Sequence, residues 1–236
     1  PAAQEQAMNV GVDFIMAEAS GIKTDGDYKV VSTDSGDYRA KAVIVAAGSQ
    51  LKHLGIPGEE EFNGRGVSHC ATCDGPMFMG ETVGVVGGGD SAADEALTLT
   101  EYAEKVMVFH RRDELRAQKI LQDRLLRNPK IEMVWNAELQ EIIGEDTVSG
   151  VKIKNVVTNH EETIGLTGLF VYVGLEPNSG IAAEVSKTDN AGHIDVNKKS
   201  CTKLPQGTQN PTLESAQVLQ PPRTRPHLWS TPCAQP

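Results

Sequence analysis

A glycine-rich turn, Gly87-Gly88-Gly89-Asp90-Ser91-Ala92, constrains the fold of this chain more than any other segment. An apolar run precedes it over residues 82–86, and a helical pattern follows it over residues 91–99. The alternation continues with a strand, a helix and a strand, predicted over residues 105–109, 115–127 and 131–135. This order of elements predicts an α/β fold with a parallel sheet.

The spacing of the turn fits the dinucleotide-binding motif Gly-x-Gly-x-x-Ala. Glycines permit a tight turn and a close approach of a pyrophosphate to the backbone, and a helix N-terminus attracts the anion. The strand before the turn and the helix after it supply the context that the motif requires. We therefore predict cofactor contacts at Gly87, Gly89, Asp90, Ser91 and Ala92. A purely structural glycine turn is the alternative.

Basic residues follow the second strand of this segment, where NAD enzymes usually present an acidic residue to the ribose. Here the chain has His110, Arg111 and Arg112, with Arg116 one turn further along. Because a guanidinium group pairs with phosphate through two parallel hydrogen bonds, this cluster suits the 2′-phosphate of NADPH. The pattern favours NADPH over NADH, and a solvated basic helix start is the alternative.

Two cysteines, Cys70 and Cys73, lie three residues apart, and Asp74 follows directly. Thiols at this spacing can reach one another as a disulfide, and a neighbouring carboxylic acid can exchange the proton that thiolate chemistry requires. Beside a dinucleotide motif, this pattern predicts redox chemistry at these three residues. Half a zinc site and two unpaired buried cysteines are the alternatives. We predict that His69 is a surface residue without a catalytic role, and the alternative is that it lowers the pKa of Cys70.

The amino-acid composition limits the cellular compartment and the kinds of partner that we expect for this protein. A chain of 236 residues with 39% hydrophobic residues can form one large or two small domains. Its net charge of −10 argues against a nucleic-acid binder, because phosphate neutralisation needs surplus Lys and Arg. No apolar run approaches the roughly 18 residues of a membrane span, and four cysteines are too few for a disulfide scaffold. We predict a cytoplasmic protein that binds proteins or small molecules.

Outside the βαβαβ segment the sequence predicts mainly strands. The first part of the chain is predicted to form a helix over 4–10, a strand over 13–18, a hairpin of 28–33 with 38–40, and a strand over 42–48 buried on both faces. The later elements are a meander over 138–143, 148–157 and 161–164, and a buried strand over 168–174. Residues 200–236 hold seven of the twelve prolines and are predicted to be irregular, as a disordered or out-of-frame tail.

Three motifs occur in order: CATCDG from Cys70, GGGDSA from Gly87 and HRRDELRA from His110. With this order and spacing, residues 4–197 resemble a low-molecular-weight thioredoxin reductase of the class II pyridine nucleotide-disulfide oxidoreductase family. The flavoprotein subunit of alkyl hydroperoxide reductase shares these motifs. The resemblance implies a Rossmann-like fold of the FAD/NAD(P)-binding, three-layer ββα type. The implied divisions are a partial FAD domain over 1–51, an NADPH domain over 52–175, a returning FAD-domain segment over 176–199 and the irregular tail over 200–236.

The resemblance also implies an activity, the NADPH-dependent reduction of a thioredoxin disulfide through FAD and a redox-active disulfide. By position, Cys73 matches the cysteine nearest the flavin, Cys70 the one that attacks thioredoxin, and Asp74 the acid and base of the dithiol. The glycine turn and the basic cluster match the sites for the NADPH pyrophosphate and 2′-phosphate. Ala47 and Gly48 match a segment that contacts FAD. Members of the family form homodimers and alternate between two orientations of the NADPH domain.

The chain departs from that family at both ends. Members begin with a strand and a GxGxxG turn for FAD and end with a Gly-Asp segment, so the chain is expected to be truncated at its N-terminus and divergent at its C-terminus. The alternatives are a flavin-free NADPH-binding module without a complete catalytic cycle and a peroxiredoxin-reducing flavoprotein. The second would carry an additional thioredoxin-like domain.

Overall fold

The computed structural model describes residues 2–197 and 216–218. The chain divides into unit 1, which combines Pro1–Gln50 with Glu176–Pro236, and unit 2, which is Leu51–Leu175. The glycine turn, the basic cluster and the CxxC all belong to unit 2.

Unit 1 begins with a helix and an antiparallel meander. Its first elements are α1 Ala2–Asn9, β1 Ala19–Asp25, β2 Tyr28–Thr33, β3 Gly36–Ala40, β4 Val43–Val45 and β5 Ser49–Leu51. Strand β2 pairs antiparallel with both β1 and β3. A small core of buried residues includes Ile22, Val45 and Ile194. The predicted helix and hairpin are confirmed.

The strand predicted over residues 13–18 is wrong, because strand β1 begins only at Ala19. A strand needs a neighbour for its backbone groups, and β1 finds one by forming a hairpin with β2. The two-residue turn of this hairpin uses a φ of 57° at Gly26. The apolar residues upstream remain exposed, Phe14 to 53% and Met16 to 86%. The turn, which the apolar pattern did not reveal, therefore sets the position of the strand.

The strand predicted over residues 42–48 is shorter than expected, and the prediction that both of its faces are buried is wrong. Val45 of β4 is 5% exposed, whereas Ile44 is 57% exposed. Successive side chains of a strand point to opposite faces. Among the described residues, only the face of Val45 packs against the core of unit 1.

Unit 2 is built around a five-stranded parallel sheet. Its elements are β6 Val67–Ser68, α2 Ala71–Asp74, a 3-10 helix Gly75–Phe78, β7 Thr82–Gly87, α3 Asp90–Leu99, β8 Lys105–His110, α4 Lys119–Arg127, β9 Ile131–Trp135, β10 Ala137–Gly144, β11 Val148–Asn155, β12 Glu161–Gly165 and β13 Gly168–Tyr172. The strand order is β6-β13-β7-β8-β9. All four neighbouring pairs are parallel, which confirms the predicted α/β fold. Strand β6 was not predicted, since two residues are too few to show a period.

Both faces of this sheet are buried. On one face, Val83 and Val85 of β7 belong to the same core cluster as Leu99 of α3. On the other face, Phe109 of β8 belongs to a cluster with Val151 of the antiparallel meander β10–β12. Alternate residues of each strand therefore enter opposite clusters, as the pleat of a strand requires. The result is the predicted three-layer arrangement of helices, parallel sheet and meander.

The chain returns to unit 1 through β14 Leu175–Pro177, which pairs with β5, and a 3-10 helix Gly180–Ala182. A final strand, β15 Ala216–Val218, pairs in parallel with β4. The prediction that residues 200–236 are irregular is therefore wrong at β15, and for the rest of that segment it lies outside the described residues.

Candidate functional site

The glycine turn connects the end of β7 to the start of α3. A Cβ atom added at Gly87 would lie 2.5 Å from the carbonyl oxygen of Tyr172, and one added at Gly88 would lie 2.1 Å from Cε1 of His110. A Cβ atom at Gly89, directly before α3, would meet nothing within 4 Å. Packing therefore requires the first two glycines, whereas the third leaves open space beside the first turn of the helix.

A cavity of about 620 Å³ lies within unit 2, in the size range of ligand pockets. The first two residues of the glycine turn, Gly87 and Gly88, line it. Three members of the predicted basic cluster also line it, His110, Arg111 and Arg116. The structure thus brings the turn and most of the cluster together around one space. The predicted contacts that are not among its lining residues are Gly89, Asp90, Ser91, Ala92 and Arg112.

Several polar residues of the cavity wall were missed by the sequence analysis. They are Lys52, His53, Glu138, Gln140 and Tyr172. The backbone N–H of Lys52 donates to the carbonyl of Gly174 at 3.0 Å, which holds this segment in place. The wall combines segments that are far apart in sequence, so no local pattern could have identified it.

Asp90 binds another part of the protein instead of lining the cavity. Its Oδ1 accepts the backbone N–H of Gln118 at 2.6 Å, and its Oδ2 accepts the Gln118 side-chain amide at 2.9 Å. These two hydrogen bonds lower the pKa of Asp90. Nearby, the backbone N–H of Arg116 donates to the carbonyl of Gly88 at 2.7 Å. Because these residues contact the glycine turn, helix α4 begins at Lys119 and not at residue 115 as predicted.

His110 is 6% exposed, and one of its ring nitrogens, Nε2, lies 3.0 Å from the carbonyl oxygen of Glu114. Burial lowers the pKa of His110, and the nearby charges of Arg116 and Arg112 lower it further, against the opposing effect of hydrogen bonds to backbone. The ring is therefore neutral at pH 7, and Nε2 donates to the carbonyl. Within the cluster, the arginines carry the positive charge and His110 supports Gly88.

Cys70 and Cys73 form a disulfide, with their Cα atoms 5.3 Å apart. The interpretation of two unpaired cysteines is therefore wrong, and neither sulfur is free to bind zinc. Cys70 caps α2, since its Sγ accepts the backbone N–H of Cys73 at 3.2 Å. Cys73 is exposed and Cys70 is half-buried. Among the residues that the structure describes, no three His, Cys, Asp or Glu side chains are grouped to hold a metal ion.

Two hydroxyl groups that the sequence analysis missed anchor the CxxC. Ser68 Oγ accepts the backbone N–H of Cys70 at 3.0 Å and donates to Oδ2 of Asp74 at 2.6 Å. The Tyr172 hydroxyl accepts the backbone N–H of Ala71 at 2.9 Å. Ser68 lies in β6 and Tyr172 ends β13, and these strands are parallel neighbours, so both side chains reach α2 from the same edge of the sheet.

The Tyr172 hydroxyl is held in its neutral form. Burial raises the pKa of Tyr172 far above its ordinary value, and the carboxylates of Glu95 and Asp74 raise it further, against the hydrogen bond from Ala71. Oε2 of Glu95 is buried and has no hydrogen-bond partner among the described residues. A neutral phenol therefore binds the backbone between the two cysteines.

His69 is half-buried, so the prediction of a surface residue is wrong. Its Nδ1 lies 3.1 Å from the carbonyl oxygen of Val171, and its ring packs edge-on to that of His53 with centroids 6.1 Å apart. These contacts fix the residue directly before the first cysteine.

In unit 1, Ala47 and Gly48 form the turn after β4. Their carbonyl oxygens accept the side-chain amide and the backbone N–H of Asn178, each at 3.0 Å. Gly48 has a φ of 68°, which favours glycine at this position. The geometry explains the turn by contacts within unit 1.

Over residues 2–206 the chain matches the family described as pyridine nucleotide-disulphide oxidoreductase. The chain belongs to this family. Unit 2 of this chain contains the cavity beside the glycine turn and the Cys70–Cys73 disulfide.

Several proteins similar to this chain are thioredoxin reductases. That of Bacillus subtilis (strain 168) is 42% identical over 201 residues, which cover 85% of this chain and 64% of the relative. The solved structure of Lactococcus lactis thioredoxin reductase is 40% identical with a TM-score of 0.74, over 85% of this chain and 67% of that one. The T. acidophilum enzyme is 33% identical with a TM-score of 0.72, over 86% of this chain and 67% of that one. These matches confirm the resemblance that the motifs predicted.

The chain spans just under two thirds of the length of the curated relatives, 64% and 63% for those of Bacillus subtilis and Listeria monocytogenes. Among the described residues, no helix is both long and apolar enough to cross a membrane.

Proposed function

We propose that this oxidoreductase acts in the NADPH-dependent reduction of the disulfide of a thioredoxin-like protein, through the Cys70–Cys73 pair. The observation that carries the proposal is the position of Tyr172. This residue lines the cavity of unit 2, and its hydroxyl accepts the N–H of Ala71, which lies between the two cysteines. Tyr172 therefore contacts both the cavity and the backbone between the two cysteines.

The cavity fits NADPH by the chemistry of its donors. Arg111 and Arg116 line it and offer two guanidinium groups to a 2′-phosphate. The open space beside Gly89 lies at the N-terminus of α3, where a pyrophosphate is favoured. Asp90 holds the segment that carries Arg116, and Arg112 adds positive charge. Bound NADPH would supply a hydride, and thus two electrons, to the reaction.

The described residues of unit 1 fit FAD less well. Ala47 and Gly48 are the contacts predicted for it, and their carbonyl oxygens are already hydrogen-bonded to Asn178. We propose FAD as the electron carrier on the strength of the family resemblance.

The dithiol can reduce a protein disulfide in two exchange steps. One thiolate attacks a sulfur of the partner and forms a mixed disulfide, and the second thiolate then restores the Cys70–Cys73 bond and releases the partner. Two electrons pass to the partner, whose two sulfurs take up two protons. Asp74 adjoins Cys73 in the sequence, and we propose that its carboxyl group exchanges a proton with the dithiol.

The family resemblance assigns the attack to Cys70, although Cys73 is the more exposed residue in the oxidised chain. Each single variant, Cys70→Ser and Cys73→Ser, can be prepared in a background that lacks Cys201 and Cys233 and mixed with a thioredoxin whose single remaining cysteine carries thionitrobenzoate as a mixed disulfide. The attacking thiolate then displaces thionitrobenzoate and joins the two proteins. We expect Cys73→Ser to trap the mixed disulfide, seen as a larger species on a non-reducing gel. Trapping by Cys70→Ser alone would assign the attack to Cys73.

The NADPH site is tested by titrating the purified chain with NADPH and NADH and following the fluorescence of the nicotinamide. We expect Arg111→Ala to weaken NADPH by tenfold or more and NADH by much less, because a charge-assisted hydrogen bond contributes about 1.5–3 kcal/mol. Arg124→Ala is the matched control, since this arginine is exposed and does not line the cavity. Equal weakening of both nucleotides would reject the 2′-phosphate role.

The flavin requirement is tested by incubating the chain with FAD, removing the excess and adding NADPH without oxygen. A retained flavin band that bleaches would support the complete cycle. NADPH binding without a retained band would instead identify a flavin-free module. We also propose that the protein is a cytoplasmic homodimer. Size-exclusion chromatography with light scattering measures the mass of the particle in solution and so tests the dimer.

A further inference from the structure

Ser68 makes two hydrogen bonds that join the redox pair to a carboxylate. Its hydroxyl accepts the N–H of Cys70 and, at 2.6 Å, donates its own proton to Asp74. The residue is 6% exposed, so water has little access to replace either bond. A single buried hydroxyl therefore fixes the position of Asp74 relative to the first cysteine.

We propose that Ser68 is a positioning residue for proton exchange at the Cys70–Cys73 pair, holding the Asp74 carboxylate where it can take a proton from a thiol. This inference rests on the proposed dithiol function. Strand β6 supplies the rigid base, because it pairs in parallel with β13 and places Ser68 opposite Phe170. A hydroxyl on a buried strand orients a neighbouring group better than one on a mobile loop.

The reaction that the positioning serves can be written with a small aromatic disulfide, 5,5′-dithiobis(2-nitrobenzoate), as the oxidant. A thiolate of the reduced chain attacks one of its sulfurs, releases one thionitrobenzoate and forms a mixed disulfide. The other thiolate attacks the cysteine sulfur of that bond, releases the second thionitrobenzoate and restores the Cys70–Cys73 disulfide. Two electrons leave the dithiol, and its two protons leave through Asp74 or directly to water.

Other titratable groups face the same region and must be separated from Asp74. Tyr172 comes from β13, Glu95 from α3, and His69 directly precedes the cysteine. None of them shares a hydrogen bond with the Ser68 hydroxyl, whose partners are the Cys70 N–H and Asp74. A substitution of Ser68 should therefore act through the carboxylate of Asp74.

The test uses the full chain with Cys201→Ser and Cys233→Ser, so that thionitrobenzoate release reports the CxxC alone. The release rate is measured by stopped flow between pH 5 and 9 for the chain, Ser68→Ala, Ser68→Thr and Asp74→Asn, and for Ser68→Ala combined with Asp74→Asn. Ser149→Ala is the control, because this serine of unit 2 donates only to the carbonyl of Ile143. Trp135 fluorescence during thermal unfolding checks that every variant is folded.

In Ser68→Ala we expect the release rate to fall about tenfold, because the Asp74 carboxylate loses the hydrogen bond that orients it toward the dithiol. Ser68→Thr, which keeps a hydroxyl, should restore the original profile. In the Asp74→Asn background, Ser68→Ala should change the rate less than twofold.

The proposal would be overturned if Ser68→Ala lost the same fraction of the rate with Asp74 present as with Asp74→Asn. It would also be overturned if Ser68→Ala left the rate unchanged at every pH. An Asp74→Asn profile identical to that of the unmodified chain would also overturn it, while leaving dithiol exchange intact. The absence of a second thionitrobenzoate release from the unmodified chain would instead reject the proposed dithiol function. Those results are distinct, so a failure of the positioning role cannot be confused with a failure of the redox assignment.

Discussion

Replacing Glu59 by alanine should destabilise unit 2 and weaken NADPH binding, because this carboxylate holds part of the cavity wall. Glu59 is 3% exposed, and its Oε1 and Oε2 accept the backbone N–H groups of Leu54 and Gly55 at 2.9 and 2.7 Å. Leu54 lines the cavity. The segment has no regular secondary structure, so these two bonds fix its path.

The size of the effect follows from the two hydrogen bonds. A hydrogen bond to a charged group contributes about 1.5–3 kcal/mol, which gives about 3–6 kcal/mol for the pair. Gly55 is exposed, so water can solvate its N–H after the substitution, and we expect the low end, about 3 kcal/mol. With an m-value of about 2 kcal/mol/M, the urea midpoint should fall by about 1.5 M. Glu59→Gln keeps one oxygen acceptor and should lose about half as much.

Unfolding in urea can be followed by Trp135 fluorescence in a Trp229→Phe background, which leaves one tryptophan in the chain. Glu60→Ala is the matched control, because its side chain is exposed. NADPH titration of the same variants should show weaker binding in Glu59→Ala and no change in Glu60→Ala. Equal urea midpoints for these two variants would refute the role assigned to the Glu59 carboxylate.

Three further predictions concern the glycine turn and its neighbours. Gly87→Ala should abolish NADPH binding in a fluorescence titration, because its Cβ would lie 2.5 Å from the Tyr172 carbonyl oxygen; binding at the original affinity would contradict this. His110 has a lowered pKa in the folded state, so the unfolded chain binds more protons below about pH 6.5 and the stability of unit 2 should fall on acidification. The urea midpoint of the unmodified chain should fall more steeply between neutral pH and pH 5.5 than that of His110→Asn. Parallel curves would show that His110 does not contribute to this pH dependence. The lowered pKa of Asp90 stabilises the folded chain above about pH 3.9, and this stability is lost as the pH falls through the pKa of Asp90 in the folded state. The urea midpoint of Asp90→Asn should therefore fall less on acidification than that of the unmodified chain. An equal fall would show that the hydrogen bonds from Asp90 to Gln118 contribute no stability.

Much of unit 2 could be predicted because its signals are local. A strand, a glycine turn and a helix occur in one short segment, and each has a recognisable period or spacing. The CxxC and the basic cluster were found for the same reason. The errors occurred where pairing decided the outcome. The strand at Ala19 depends on a hairpin partner, and the delayed start of α4 depends on hydrogen bonds to Gly88 and Asp90.

The candidate site shows the same division. Sequence spacing identified Cys70, Cys73 and Asp74, but not Ser68 or Tyr172, whose hydroxyl groups contact that turn. A serine or a tyrosine beside an apolar run is ordinary in sequence. The two become distinctive only when parallel pairing brings β6 beside β13 and aligns their ends.

By itself, the sequence determined the family, the α/β class, the dithiol and the cluster of arginines, because motif chemistry and periodicity act over neighbouring residues. Tertiary structure alone decided which of the predicted residues line the cavity, that Asp90 tethers Gln118, and that Ser68 joins Cys70 to Asp74. The physical reason is that a hydrogen bond or a cavity wall depends on distances in space. Those distances are set by strand pairing and core packing between segments that lie far apart along the chain.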